Sequence, residues 1–368
     1  MTLHSFTIVF VLFQWILATT ASPVRRHETS TLLFNSPAFQ NPQKSSDTIA
    51  AVQAYVYISQ PNLTPVHTFL DDVLKHTFKV ADEFEKKLAT AVDRMKLFGS
   101  VGVPDVQVKV SVQGCSRESS LPHTALKDLG FVSAHASLGS CRFTTGTTSR
   151  TAELSSSGSD GKSTATAFYS PPEGLGIISD VDDTIKVTNV LTKSLLIENT
   201  LYKDPVPVAG MPDLYSHLSK SLTTKSTTAG TSIPPQFLYV SGSPFQLYPF
   251  LSKFLESHYP DANDWWGSDE AKVDYKVEQI NRIHEMYPKK SFLAVGDSTE
   301  MDPEVYGKIF KQHKGFLRCI WIHLVDGAKN SQSRFDAALE GVPKNQYRLY
   351  KDSEIGKLKE IDVAGGRC

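Results

Sequence analysis

Two hydrophobic periods divide this chain. Thr48 to Ser59 (TIAAVQAYVYIS) is strand-like. From Leu70, apolar residues step by three or four through Leu74, Phe78, Ala81, Phe84, Leu88, Val92 and Met95. This stripe predicts one long helix, with Thr64 as its cap, Pro65 in its first turn and Gly99 at its end. Between 104 and 170 the period falls to two. Val106, Val108, Val110 and Val112 alternate with polar residues, and FVSAHASL (131–138) and TATAFYS (164–170) follow. Such alternation marks half-buried antiparallel strands. After Pro171 the runs become continuously apolar: GLGIIS (174–179), PQFLYVS (235–241), SFLAVG (291–296) and FLRCIWIHLV (316–325). Helix-like stretches near 211–222, 244–258, 269–287 and 303–313 alternate with them. That order predicts an α/β fold, a parallel sheet with helices on both faces. The expected layout is a polar, flexible leader over 22–46, a small helix and β-rich domain over 47–170, an α/β domain over 171–350 and a tail over 351–368.

Composition adds limits. Lys and Arg number 38 against 39 Asp and Glu, so no global basic field is present to hold nucleic acid. Phe6 to Ala18 is apolar but too short to span a bilayer, and small residues follow. Residues 1–21 therefore read as a secretory signal peptide, with a buried N-terminal helix or strand as the competing reading. No later segment is apolar enough to span, so the expectation is an exported, secreted protein. Arg25-Arg26 is either a processing site or two solvated charges. In an exported chain Cys115 and Cys141, each near a strand end, are placed to pair. Cys319 should be buried; its partner and that of Cys368 stay open. Asn62-Leu63-Thr64 is a glycosylation sequon expected to be exposed.

In parallel sheets ligands bind beyond the carboxyl ends of the strands. The first run after Pro171 ends in Asp180-Val181-Asp182-Asp183-Thr184, whose carboxylates at i and i+2 leave on one side and can hold a divalent cation between them. A lone acidic turn is the bland alternative. An EF-hand is excluded by Ile185 and Leu191 at its glycine and glutamate positions. The second run ends at Ser241-Gly242-Ser243-Pro244, a phosphate cradle or a helix N-cap. The third ends at Gly296-Asp297-Ser298, with Asp302 beyond it either as a further hard ligand or as a helix cap. Lys276 precedes it; taken alone, such a lysine is solvated.

The order of these parts is more telling than any one of them. It is the layout of the haloacid dehalogenase-like phosphatases. GIISDVDDTIK (176–186), SGSPFQLY (241–248), YKVEQI (275–280) and AVGDSTEMDPEVY (294–306) resemble the catalytic domain of the actin-patch-associated, Mg²⁺-dependent phosphatidate phosphatases. The resemblance covers about residues 170–350. It implies Asp180 as nucleophile, Asp182 as acid and base, and Ser241 and Lys276 holding the transferring oxygens. Thr184, Gly242 and Ser243 would be further substrate contacts. Mg²⁺ would be held by Asp180, the carbonyl of Asp182 and Asp297, with Asp302 as a possible ligand. The implied substrate is phosphatidate at a membrane surface, cleaved to diacylglycerol.

The interval between the first two motifs is too short for a large cap domain. An open site suits a phosphate projecting from a bulky lipid. Val190, Leu191, Leu195, Leu196 and Ile197, with Trp265 and Trp266, are expected near the mouth, either facing an interface or packing on the sheet. Two other functions compete: the same chemistry on a phosphoprotein or soluble ester, and a non-catalytic exported interaction protein.

Overall fold

A computed structural model describes residues 29–59, 63–77, 79–142, 144–145, 150–157, 163–225, 232–259 and 273–368. The expected signal peptide, Arg25-Arg26, Asn62, Phe78, Trp265 and Trp266 lie outside the described residues. Among those described, no helix is long and apolar enough to cross a membrane.

The N-terminal region is larger than its sequence pattern suggests. Ten strands form one sheet: β1 (Thr29–Leu33), β2 (Ser36–Gln40), β3 (Thr48–Ile58), β4 (Val101–Gly102), β5 (Gln107–Val112), β6 (Ser119–His123), β7 (Phe131–Gly139), β8 (Thr144–Thr145), β9 (Arg150–Ser157) and β10 (Ser163–Ser170). The main order is β1-β3-β2-β10-β9-β5-β6, and every pair is antiparallel except β2 with β10. In β5, Val108, Val110 and Val112 are buried and Gln107 and Lys109 exposed, as their alternation predicts. Cys115 and Cys141 are joined, as expected, across a bridge beyond β5 and β7.

Two expectations fail here. Thr29–Leu33 and Ser36–Gln40 are strands, not part of a flexible leader. Leu33, Phe34, Ala38 and Phe39 are buried, and Pro37 is tolerated because β3 pairs only Ala38 to Gln40 of β2. The single long helix is two: α1 (Thr64–Asp72), widening over Val73–Thr77, and α2 (Phe84–Met95). Pro65 stands in the first turn of α1, but no side chain caps it. The chain reverses between the helices through Lys79 and Glu83, both in the left-handed region (φ 51° and 50°). Folding back lets Val66, Leu70 and Leu74 share one core with Leu88, Ala91 and Met95, which a straight rod would spread over 40 Å or more, at ~1.5 Å per residue.

The second region is the expected parallel sheet. Its strands are β11 (Leu175–Ser179), β14 (Gln236–Tyr239), β15 (Ser291–Asp297), β16 (Leu317–His323) and β17 (Tyr347–Tyr350), in the order β14-β11-β15-β16-β17, every pair parallel. A two-stranded pair, β12 (Thr224–Lys225) and β13 (Ser232–Ile233), precedes β14. The helices are α3 (Lys193–Leu201), α4 (Met211–Ser221), α5 (Tyr248–His258), α6 (Val273–Met286), α7 (Asp302–Gln312) and α8 (Gln332–Ala338). One core lies against α4 and α5, the other against α6 and α7. Residues beyond 351 are no loose tail: Asp352–Glu360 forms 3₁₀ turns with Ile355 and Leu358 buried, and Cys368 is bonded to the buried Cys319.

The two regions share a core. Phe34 packs on Tyr248 at 4.4 Å between ring centres, and Tyr55 on Phe245 at 4.8 Å. The Asn35 amide donates to Tyr248 Oη at 2.8 Å, and Lys290 Nζ donates to Ser170 Oγ at 3.0 Å.

Candidate active site

Alternation around β11 sets the first acidic residues. Val181 turns into the core, so Asp180 and Asp182 turn away from it. Asp180 still belongs to the sheet, its amide donating to the Val295 carbonyl at 2.9 Å. The chain then coils: the amides of Ile185 and Lys186 both reach the Val181 carbonyl at 3.0 Å. Asp183 takes a left-handed conformation, φ 57°, at this turn. Its carboxylate accepts three amides, from Thr188 (2.8 Å), Asn189 (2.6 Å) and Val190 (2.8 Å). Such charge-assisted bonds offset the cost of a strained backbone.

The two carboxylates of the motif face different partners. Asp180 accepts Lys276 Nζ at 2.7 Å and Thr184 Oγ1 at 3.1 Å. Lys276 also bonds Asp302 at 2.6 Å and lies 3.6 Å from Glu300. Asp302 in turn accepts the Asp297 amide at 3.1 Å. Gly296 permits that approach, since a Cβ there would lie 2.4 Å from an Asp302 oxygen. Asp302 is thus a site residue and not the cap of α7, and Lys276 is buried and not solvated. Carboxylate atoms of Asp180, Asp297 and Asp302 all lie within 4.8 Å of one another.

Asp182 points to the end of β14. It accepts Ser243 Oγ at 2.7 Å, Ser241 Oγ at 3.3 Å and Thr188 Oγ1 at 2.7 Å, and pairs with Lys186 at 3.1 Å. The carboxylates of Asp180 and Asp182, expected to hold one cation between them, thus have different partners, and the acidic cluster holds Asp180 with Asp297 and Asp302. Ser243, bonded to Asp182, does not cap a helix: the next turn begins after Pro244. Thr184 contacts both Asp180 and, at 3.4 Å, Asp297.

Charge differs sharply between these halves. Burial pushes Asp180 well above the usual carboxylate range; Lys276 opposes that rise, and Asp302, Asp297 and Glu300 add to it. Burial likewise raises Asp297, helped by Asp302 and Glu300. Burial alone would discharge Lys276, but Asp180, Asp302 and Glu300 outweigh it and hold the ammonium well above its ordinary value. Asp182 goes the other way: Lys186, Thr188 and Ser243 overcome its burial and lower it to about 2. Among the described residues, Asp180, Asp297, Glu300 and Asp302 thus face the one ammonium of Lys276. A divalent cation fits this surplus, and hard carboxylate oxygens are the donors that Mg²⁺ takes.

Residues 175–324 match the family model described as phosphatidate phosphatase APP1, catalytic domain. That region is similar to this family. Phosphatidate phosphatase APP1 of Saccharomyces cerevisiae is 29% identical over 168 residues, which cover 42% of this chain and 27% of that protein. The match thus spans about a quarter of the yeast protein's length. Two structures of Parabacteroides merdae β-glucuronidase also align, at 9% and 10% identity. Each alignment covers 80% of this chain and 34% of the other, with TM-scores of 0.26 and 0.25. Likenesses that slight carry no argument. The family match agrees with the resemblance read from the four motifs, and every residue drawn from them is brought to one end of the parallel sheet.

Several site residues had no role in the sequence reading. Lys186, Thr188, Asp183 and Glu300 all lie within or beside quoted motifs. Lys186, four residues after Asp182, is the one that its sequence could have flagged: a lysine between Ile185 and Val187 at ion-pair spacing.

Proposed function

We propose that this chain is an exported, Mg²⁺-dependent phosphatase of haloacid dehalogenase type that hydrolyses phosphatidate to diacylglycerol and phosphate. The observation that carries the chemistry is the placement of Asp180: buried at a strand end, bonded to Lys276 and Thr184, and clustered with Asp297 and Asp302. The substrate comes from the matched family and from the named activity of the yeast relative.

A carboxylate oxygen of Asp180 attacks phosphorus, forming an aspartyl-phosphate as the ester P–O bond breaks and the alkoxide leaves; water then attacks that phosphorus, releasing phosphate and restoring the carboxylate. Lys276 and the hydroxyl of Ser241 hold the transferring oxygens where charge develops; Thr184, Ser243 and the Gly242 backbone complete the cradle. Asp180, Asp297 and the Asp182 carbonyl would hold Mg²⁺, with Asp302 beside them. Bound there, the ion offsets repulsion between carboxylate and phosphate. Asp182 starts ionised, suited to taking a proton from water in the second half-reaction. A phosphate dianion beside it raises its proton affinity, the direction that donation to the leaving alkoxide needs.

The deciding experiment is phosphate release from phosphatidate in mixed micelles, with and without Mg²⁺, beside glycerol phosphate. Metal-dependent turnover that strongly favours the micelles supports the reading. Equal kcat/KM on both substrates leaves a phosphatase acting on soluble esters. No release from either refutes catalysis.

A further inference from the structure

His323 ends β16 beside Asp297 of β15. It is buried, yet both ring nitrogens have oxygen partners. Nδ1 lies 2.9 Å from the backbone carbonyl of Asp183, and Nε2 lies 2.7 Å from Asp352 Oδ1. A carbonyl can only accept, so Nδ1 is the donor there, and Nε2 is the nitrogen that faces the Asp352 carboxylate. Asp183 is the left-handed residue between Asp182 and Thr184, with its carboxylate clamping the 188–190 amides. The remaining polar groups of Asp183 are also engaged: its amide donates to Lys186 at 2.8 Å and its carbonyl accepts from the imidazole. Asp352, by contrast, has a side chain 80% exposed and stands at the start of the C-terminal 3₁₀ turns. Those turns are fixed independently, by the burial of Ile355 and Leu358 and by the ion pair of Lys359 with Asp213.

We infer that His323 is a positioning residue, which ties the C-terminal segment through Asp352 to the Asp183 carbonyl and so fixes the turn presenting Asp180 and Asp182. This rests on the phosphatase reading above. The imidazole touches no reacting group; it acts by holding a strained peptide in the one orientation that aims two carboxylates in different directions. A backbone held by opposing bonds on both of its sides loses its set when either is released. The C-terminal segment is therefore a functional part of the site.

The test is Asp352→Ala in the full chain, with Asp352→Glu as the conservative variant. The exposed position makes unfolding no confounder. Losing one charge-assisted partner of His323 should lower kcat about three- to tenfold on both phosphatidate micelles and p-nitrophenyl phosphate. KM should stay within about twofold and Tm should hold, because no substrate contact and no core packing is removed. Asp352→Glu should recover most of the rate. Hydrogen exchange gives a readout free of activity: the amides of Thr188, Asn189 and Val190 should exchange faster in Asp352→Ala, while those of β15 do not change. Unchanged exchange at 188–190 overturns the inference, whatever the rates do. If the unaltered chain releases no phosphate from either substrate, the phosphatase reading fails and the exchange measurement alone decides the positioning role.

Discussion

The ten-stranded sheet and the parallel sheet bury different things. Among the described residues of the first region, the buried polar side chains are neutral: Asn35, Ser36, Thr48, Gln53, Thr124, Ser156 and Ser170. In the second they include Asp180, Asp183, Lys186, Lys276, Lys290, Asp297, Asp302 and His323. Taking a charge out of water is costly unless it is paired and hydrogen-bonded. Among the described residues, it is the second region that bears that cost. The contrast can be tested region by region.

The largest expected effect is on turnover. Asp180→Asn should lower kcat at least about a thousandfold, because it removes the attacking oxygen. Stability should not fall, since the amide is nearly isosteric and relieves a crowd of like charges. Phosphate-release kinetics and a thermal melt check both halves; a variant keeping a tenth of the rate sinks the nucleophile assignment.

Next comes Lys186→Met, which strips Asp182 of its cation. Breaking a buried pair costs about 3–5 kcal/mol. The pH dependence has a definite sign. Asp182 is lowered to about 2 from an ordinary 3.8, so its contribution is present above pH 3.8 and is lost as pH falls towards 2. The difference between the two proteins in urea should therefore be full at pH 7 and shrink on acidification through that window. A difference independent of pH would mean that the pair is not its source.

In the ten-stranded sheet, Leu154→Ala should cost a comparable ~2–5 kcal/mol by leaving a cavity. Leu154 is fully buried among apolar neighbours, so this loss should not vary between pH 4 and 7. A pH-dependent loss there would break the contrast between the two regions.

The smallest effect lies at their junction. Lys290 is lowered to about 7, by burial, with Glu173 opposing. Its unfolded form holds a proton up to the ordinary lysine value near 10.5, so stability rises with pH between about 7 and that value. Lys290→Met should flatten this rise, measured as urea midpoints at pH 7 and 9. An undiminished rise would show that Lys290 is not its cause.

Much of this was legible in sequence. Continuous apolar runs gave the parallel strands, because a strand covered on both faces needs no polar alternation. The strand ends then located Asp180, Ser241 and Asp297. Cys115 and Cys141 were paired correctly from their places at strand ends. The break between α1 and α2 was invisible, since the stripe of Leu70 to Met95 keeps its period straight through residues 78–83 and only tertiary packing folds it back. β1 and β2 were hidden by brevity and, in β2, by Pro37; β1 gains its strand character from β3, and β2 from β3 and the distant β10. The divergence of Asp180 from Asp182 was equally hidden, because it depends on Lys186, Thr188 and two serines converging from separate segments.

The shared core has a consequence for how the molecule comes apart. The family match begins at residue 175, but the folding unit does not. Phe34 lies against Tyr248, Phe39 against Tyr287 (5.7 Å between ring centres), and the Arg94 guanidinium over Phe250 at 4.1 Å while donating to the Thr200 carbonyl. Melting either half strips the other of aromatic neighbours and parts Lys290 from Ser170 and Tyr248 from the Asn35 amide. Heat should thus take both down in one cooperative transition, and a protease finding the seam at 171–174 should meet a resistant, single-bodied protein and not two separable halves.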